Sequence, residues 1–274
     1  MTDQNGQIEA DEELAQAGWL EDVRDCLMFL TRLPMPEQQE GRHRQLSKAV
    51  RGFPLAGALI GAIGGLALLA AQGGGLPAMV AASIAVLAIV MVTGGLHEDG
   101  LADVADGFGA GGSRERKLEI MRDSRIGTYG VLALIFAVLI KVTCISVLLS
   151  TAQSVWHTPM LLIATGALSR TFIALAMRSM PPARSDGRSA EAGVPSDSGV
   201  NQALVAGLAI GSVMMWLACG LWTIAATLLA GATAYYLVKR RALRHIGGQT
   251  GDILGTIQQV TEIAMFLALA ATYC

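Results

Sequence analysis

The sequence predicts an all-α, polytopic integral membrane helix bundle of about seven transmembrane helices, and three observations lead there. Of its 274 residues 53% are hydrophobic and its mean hydropathy is +0.49, too apolar for an ordinary water-soluble domain. Apolar runs recur at 53–71, 77–96, 130–150, 159–178, 203–219, 222–238 and 254–272. Each has roughly the 17–25 residues that cross a bilayer core. Finally, 18 of the 20 Lys and Arg fall in alternate connections between those runs. By the positive-inside rule these connections are cytoplasmic, which sets the N-terminus inside and the C-terminus outside.

The elements follow in order. Residues 1–17 form a polar, acidic tail expected to be disordered. Trp19, Leu20, Val23, Leu27 and Leu30 recur at helical spacing, so 18–33 reads as an amphipathic helix on the membrane surface, ended by Pro34 and Pro36. Apolar sequence starts only near residue 53, so no cleavable signal peptide is expected. Gly57, Gly61, Gly64 and Gly65 in the first span point to close helix packing. The unbroken 203–238 run would make one helix about 54 Å long, too long for a single crossing, so it divides near Gly220. Residues 114–123 read as a short charged helix. The whole of 18–274 is then one membrane catalytic domain with cytoplasmic loops at 97–129, 179–202 and 239–253.

Composition also excludes. The formal net charge of −2 averages an acidic tail with basic loops, and nothing resembles a basic nucleic-acid surface. Cys26, Cys144, Cys219 and Cys274 are scattered without CxxC spacing, so neither a zinc site nor a disulfide framework is indicated. No motif sets an oligomeric state.

Chemistry concentrates where the second span ends, in His97-Glu-Asp-Gly-Leu-Ala-Asp-Val-Ala-Asp-Gly107. Asp99, Asp103 and Asp106 are spaced i, i+4, i+7, which places three carboxylates on one helix face. Like charges so placed repel one another unless a cation sits between them. Oxygen ligands suit Mg²⁺ or Mn²⁺. Gly100, Ala102 and Gly107 are small enough to admit a bulky group such as a phosphate. The alternative for the three acids is a solvated face beside the membrane. Arg122, Asp123, Ser124 and Arg125 follow, either as phosphate contacts or as ordinary cytoplasmic charge. The Gly247–Asp252 turn leads into the last span, with Thr250 or Asp252 near its N-cap or contacting phosphate. Arg184 lies in the 179–202 loop.

Charges inside spans are a separate signal. Arg170 and Glu262 both lie about 12 Å from the cytoplasmic end of their spans, deep enough to pair, and Lys141 lies somewhat deeper. They form either a buried structural pair or the wall of a polar cavity. They also raise a competing class, a transporter with an intramembrane charged site. A transporter concentrates its polar residues near the midplane, whereas most candidates here lie at the cytoplasmic edge.

These residues resemble the cobalamin synthase family, the adenosylcobinamide-GDP ribazoletransferases. The resemblance rests on Thr93–Gly107 and Arg114–Gly130, with support from Phe53–Gly57, Ser169-Arg170, and Gly247–Asp252 with Glu262, and it covers about residue 25 onward. Pro181-Pro-Ala-Arg184 departs from the pattern, which has a tyrosine at the second position. The resemblance implies the last steps of cobalamin biosynthesis in a prokaryotic cytoplasmic (inner) membrane, with the active site facing the cytoplasm. Adenosylcobinamide-GDP would react with α-ribazole or its 5′-phosphate, giving adenosylcobalamin or its 5′-phosphate and GMP, with Mg²⁺. It implies metal binding by Asp99, Asp103 and Asp106 with Glu98, and substrate or phosphate binding by Arg122, Asp123, Ser124, Arg125, Arg170, Arg184, Thr250, Asp252, Glu262 and Lys141. Asp106 is the expected base for the attacking hydroxyl, with His97 and Asp252 as competing candidates. The acid pattern is also similar to that of CDP-alcohol phosphotransferases.

Overall fold

The computed structural model describes residues 18–35, 45–187 and 191–273; the tail expected at 1–17 lies outside them, as does the side chain of Cys274. Helix α1 (Trp19–Leu30) is followed by a 3₁₀ segment (Leu46–Gly52) that runs into α2 (Phe53–Gly73). Then come α3 (Ala78–Thr93), α4 (Leu96–Gly109), α5 (Arg114–Ile120), α6 (Thr128–Thr151), α7 (His157–Ser179), α8 (Asp197–Ala218), α9 (Leu221–Ile246) and α10 (Gly251–Thr272). Six of these are long and apolar enough to cross a membrane, and the bent pair α3–α4 makes a seventh candidate. The fold class is the one expected. Extended structure among the described residues amounts to one isolated bridge, Pro182 with Gln249.

Local chemistry sets the helix ends. Pro77 stands immediately before α3. Ser113, Ser196 and Thr250 cap α5, α8 and α10 by accepting hydrogen bonds from the backbone N–H of Arg116, Gly199 and Ile253. The division near Gly220 is where it was expected, with α8 ending at Ala218 and α9 starting at Leu221.

Helices α7 and α10 form the centre. Gly57 and Gly61 of α2 lie so close to α7 that a Cβ on either would overlap the carbonyl of Gly166 or Leu162. That is the close packing the glycine pattern predicted, and it brings Phe53, Ile173 and Met177 into one core. A second core, around Leu68, Ala82, Leu148, Leu161 and Leu269, fills the other end of the bundle.

Two expectations need correction. Residues 97–129 are not an open loop. Gly94 and Gly95, at φ +63° and +70°, break the second span and turn the chain by 89° into α4, which packs along α10 and α6. Both glycines occupy the left-handed region that only glycine enters freely. The polar sequence of α4 is held there by partners described below. Likewise the basic stretch from Lys239 is no loop: α9 continues to Ile246, because Ala242 and Ile246 still face the core.

Candidate active site

The break at Gly94–Gly95 opens a cavity of about 870 Å³, lined by Arg32, Thr93, Gly94, Gly95, Glu98, Asp99, Asp103, Arg122, Asp123 and Ser124 among others. Helix α4 presents three of its acids to this space. Asp99, Asp106 and Asp252 all act on Asp103 through their charge, so four carboxylates are crowded at one point. The expected crowding is therefore present, with Asp252 as a member that sequence spacing did not place beside Asp103.

Glu98 is buried and anchored from behind. Its Oε1 accepts hydrogen bonds from Nε2 of Gln259 at 2.9 Å and Nζ of Lys141 at 3.3 Å. Its Oε2 is buried with no partner. Nζ of Lys141 also donates to Oε1 of Gln259 at 2.8 Å and lies 3.6 Å from Glu262. Arg170 meets Glu262 at 2.9 Å and donates to Oγ of Ser169 at 3.0 Å. The pairing of Arg170 with Glu262 expected from their equal depths is present. Two cations and two anions thus balance one another in the interior, joined by Gln258, Gln259 and Ser169. Such mutual satisfaction is what makes buried charge tolerable. Apart from Glu98, these charges do not line the polar cavity. They hold α4, α6, α7 and α10 in register.

Asp106 is placed differently from Asp99 and Asp103. Its two oxygens accept hydrogen bonds from the backbone N–H of Gly127 at 2.7 Å and of Gly130 at 2.9 Å. It caps the start of α6, where Gly127 has no side chain to do so. It does not line the polar cavity. With both oxygens taken up by the start of α6 and outside the cavity lining, Asp106 has no geometric basis as the base.

The glycines also serve a purpose other than the expected one. A Cβ at Gly100 would collide with the backbone of Asp252, and one at Gly107 with Met121. Helix packing, not a phosphate, uses that room. Oγ1 of Thr256 donates to the carbonyl of Gly100 at 3.0 Å, which fixes the α4–α10 crossing.

The segment before α6 is divided. Arg122, Asp123 and Ser124 line the polar cavity, and Arg122 is held by Asp186 at 2.6 Å. Arg125 is 87% exposed and turns back onto Asp123. Hydrogen bonds from the Arg125 side chain and backbone hold the Asp123 carboxyl at about 2. On the far side, the two remaining loops join: the N–H of Gln249 donates to the carbonyl of Pro181 and the N–H of Ala183 to that of Gln249, both at 2.8 Å. This sets Arg184 3.9 Å from Asp252. Thr250 is the N-cap of α10, and its hydroxyl also donates to Oδ2 of Asp252 at 3.1 Å. Arg32, Gln258 and Gln259 are site residues that the sequence did not single out. Arg32 looked like ordinary loop charge, and the glutamines looked like polar interruptions in a span.

Among the described residues no three His, Cys, Asp or Glu side chains already form a metal cage. Mg²⁺ does not require one, since it keeps several waters and takes one or two carboxylates together with substrate phosphates. Glu98, Asp99 and Asp103 are all oxygen donors on the cavity wall, and Glu98 has a free buried oxygen facing no protein partner. That donor set fits a hard divalent cation.

A family model described as cobalamin-5-phosphate synthase matches residues 22–270. The chain is 45% identical over 250 residues to a protein of Mesorhizobium japonicum named adenosylcobinamide-GDP ribazoletransferase, covering 90% of this chain and 92% of the relative. Relatives of the same name from Azorhizobium caulinodans and Rhizobium etli are 44% and 42% identical, each over 91% of this chain and 95% and 96% of their own length. No solved structure matches.

Proposed function

The chain belongs to the cobalamin-5-phosphate synthase family, and from that premise we propose that it is a membrane adenosylcobinamide-GDP ribazoletransferase, acting at the end of cobalamin synthesis. Adenosylcobinamide-GDP and α-ribazole, or its 5′-phosphate, are the substrates, and GMP leaves. The observation that supports this reading within the molecule is the polar cavity, with acids on one wall and Arg32 and Arg122 on others. A nucleoside diphosphate needs both kinds of group.

Glu98, Asp99 and Asp103 would hold Mg²⁺. When bound, it neutralises phosphate charge and acidifies a nearby hydroxyl. Arg122 and Arg32 bind phosphate oxygens. Arg122 waits on Asp186, an exposed and therefore weak pair that an incoming phosphate displaces. The free N–H groups at the start of α4, after the Gly94–Gly95 turn, favour the same anion. Asp252, oriented by the Thr250 hydroxyl, accepts the proton of the attacking ribose hydroxyl on its carboxylate. The clustering of cations at the end of the bundle that carries the acids supports a cytoplasm-facing site in a prokaryotic inner membrane.

The test is GMP release from adenosylcobinamide-GDP by purified protein in detergent. Release that requires both α-ribazole and Mg²⁺, and falls at least a hundredfold in Asp103→Asn, is expected. Full activity of Asp103→Asn, or activity untouched by a chelator, overturns the metal assignment. A transporter would release no GMP.

A further inference from the structure

Beside the polar cavity lies a second, mainly apolar one of about 100 Å³. Its walls include Phe29, Leu30, Phe53, Ile173, Met177 and Leu254. Three residues, Phe29, Leu96 and Asp99, border both spaces, so the two chambers meet. Asp99 and Asp252 contribute carboxylates to the apolar chamber. The remaining polar side chain on its wall is His97, only 2% exposed, and neither of its ring nitrogens has a hydrogen-bond partner. A buried imidazole with both nitrogens unmatched is unfavourable and unusual in a native interior. It implies a ligand atom that the protein itself does not supply.

We propose that this chamber seats the aromatic base of the acceptor nucleoside, with His97 as the donor that selects a benzimidazole-type base. The inference rests on the transferase reading above. Size comes first: at about 100 Å³ the chamber is smaller than the roughly 150 Å³ apolar cavity that holds one benzene, so it admits one edge of a flat ring system, the rest lying toward the polar cavity, and no corrin. Polarity comes second. A benzimidazole in glycosidic linkage presents one unsubstituted ring nitrogen, an acceptor, and the neutral His97 imidazole offers one N–H. A guanine brings several donors and acceptors, which apolar walls would leave unmatched. A lipid chain would leave His97 as it stands. Position comes third. A base held against His97 and Phe53 leaves its ribose at the side where Asp99 and Asp252 lie, next to the chamber that takes the diphosphate. Two reactants would thus meet across Asp99.

The experiment measures KM for each substrate in GMP release, using α-ribazole and the corresponding α-riboside of adenine as acceptors. Wild-type protein should show a KM for α-ribazole at least tenfold below that for the adenine riboside. Ile173→Phe and Leu254→Phe, which fill the chamber from two helices, should each raise the KM for α-ribazole about tenfold or more and leave that for adenosylcobinamide-GDP within twofold. His97→Phe should do the same, and His97→Gln, which keeps a donor, should recover part of the loss. The intrinsic fluorescence of α-ribazole gives its binding to each variant directly, including any without turnover. Equal acceptor affinity in the filled variants overturns the proposal. A rise confined to the nucleotide substrate overturns it in favour of a guanine seat. Absence of GMP release by wild-type protein with both acceptors overturns the transferase reading instead.

Discussion

Replacing Asp106 by alanine takes away the acceptor for two backbone N–H groups at the start of α6. Hydrogen bonds to a charged acceptor contribute about 1.5–3 kcal/mol each. The site is only part-buried, so water recovers some of that, and a lost N-cap commonly costs about 1 kcal/mol, up to about 2. Loss of the carboxylate from the positive end of the α6 dipole adds about 0.5 kcal/mol. The expected destabilisation is therefore about 2–3 kcal/mol for Asp106→Ala. Asparagine keeps one carbonyl oxygen, so Asp106→Asn should lose about 1 kcal/mol. At about 2–3 °C per kcal/mol for a chain of this size, melting in detergent should fall by about 4–9 °C and 2–3 °C. The assay is thermal unfolding of the purified protein with and without Mg²⁺. Both variants should retain most of the upward shift that Mg²⁺ gives wild type. An Asp106→Asn variant that melts like wild type yet gains nothing from Mg²⁺ would refute the capping argument and return Asp106 to the metal.

Further outcomes follow from the same geometry. Asp103→Asn should melt at or above the wild-type temperature without metal, because it removes a charge repelled by Asp99, Asp106 and Asp252; a clear loss of stability would contradict that crowding. Glu262→Gln leaves Arg170 and Lys141 short of an anion, and should cost about 3–5 kcal/mol in unfolding measurements; a cost near zero would mean that the pair is not the support it looks to be. Gly57→Leu forces α2 away from α7, and should lower the melting temperature and the yield of folded protein more than the same change at Gly73, where a Cβ meets nothing. Arg122→Ala should raise the KM for the nucleotide substrate about tenfold with melting unchanged, since its partner Asp186 is exposed; a lower melting temperature would assign it a structural role.

How far the sequence revealed these features depended on the range of the physics involved. Hydropathy acts over a single helix, so the spans and the break before Leu221 were visible directly. The Arg170–Glu262 pair was visible because equal depth in two spans is simple geometry. The course of α4 was not. A segment with four acids and three glycines in fourteen residues looks like a solvated connection, and only Lys141, Gln259 and Thr256, which come later in the chain, turn it into an interior helix. Asp106 was misplaced for the same reason: the i, i+7 spacing shows a shared face but not that the start of α6 arrives there. The apolar chamber was invisible, since α1, α2, α4, α7 and α10 each bring part of it.

The last helix has a consequence for how the protein is made. Glu262, Gln259, Gln258 and Thr256 all belong to α10, and they are the partners of Arg170, Lys141, Glu98 and the α4 backbone. Until α10 inserts, Arg170 has no carboxylate to meet, and Glu98 and Lys141 have only each other. Biogenesis therefore has a closing step. The polar wall on α4 reaches its final packing only when the last segment brings Thr256 and Gln259 to it.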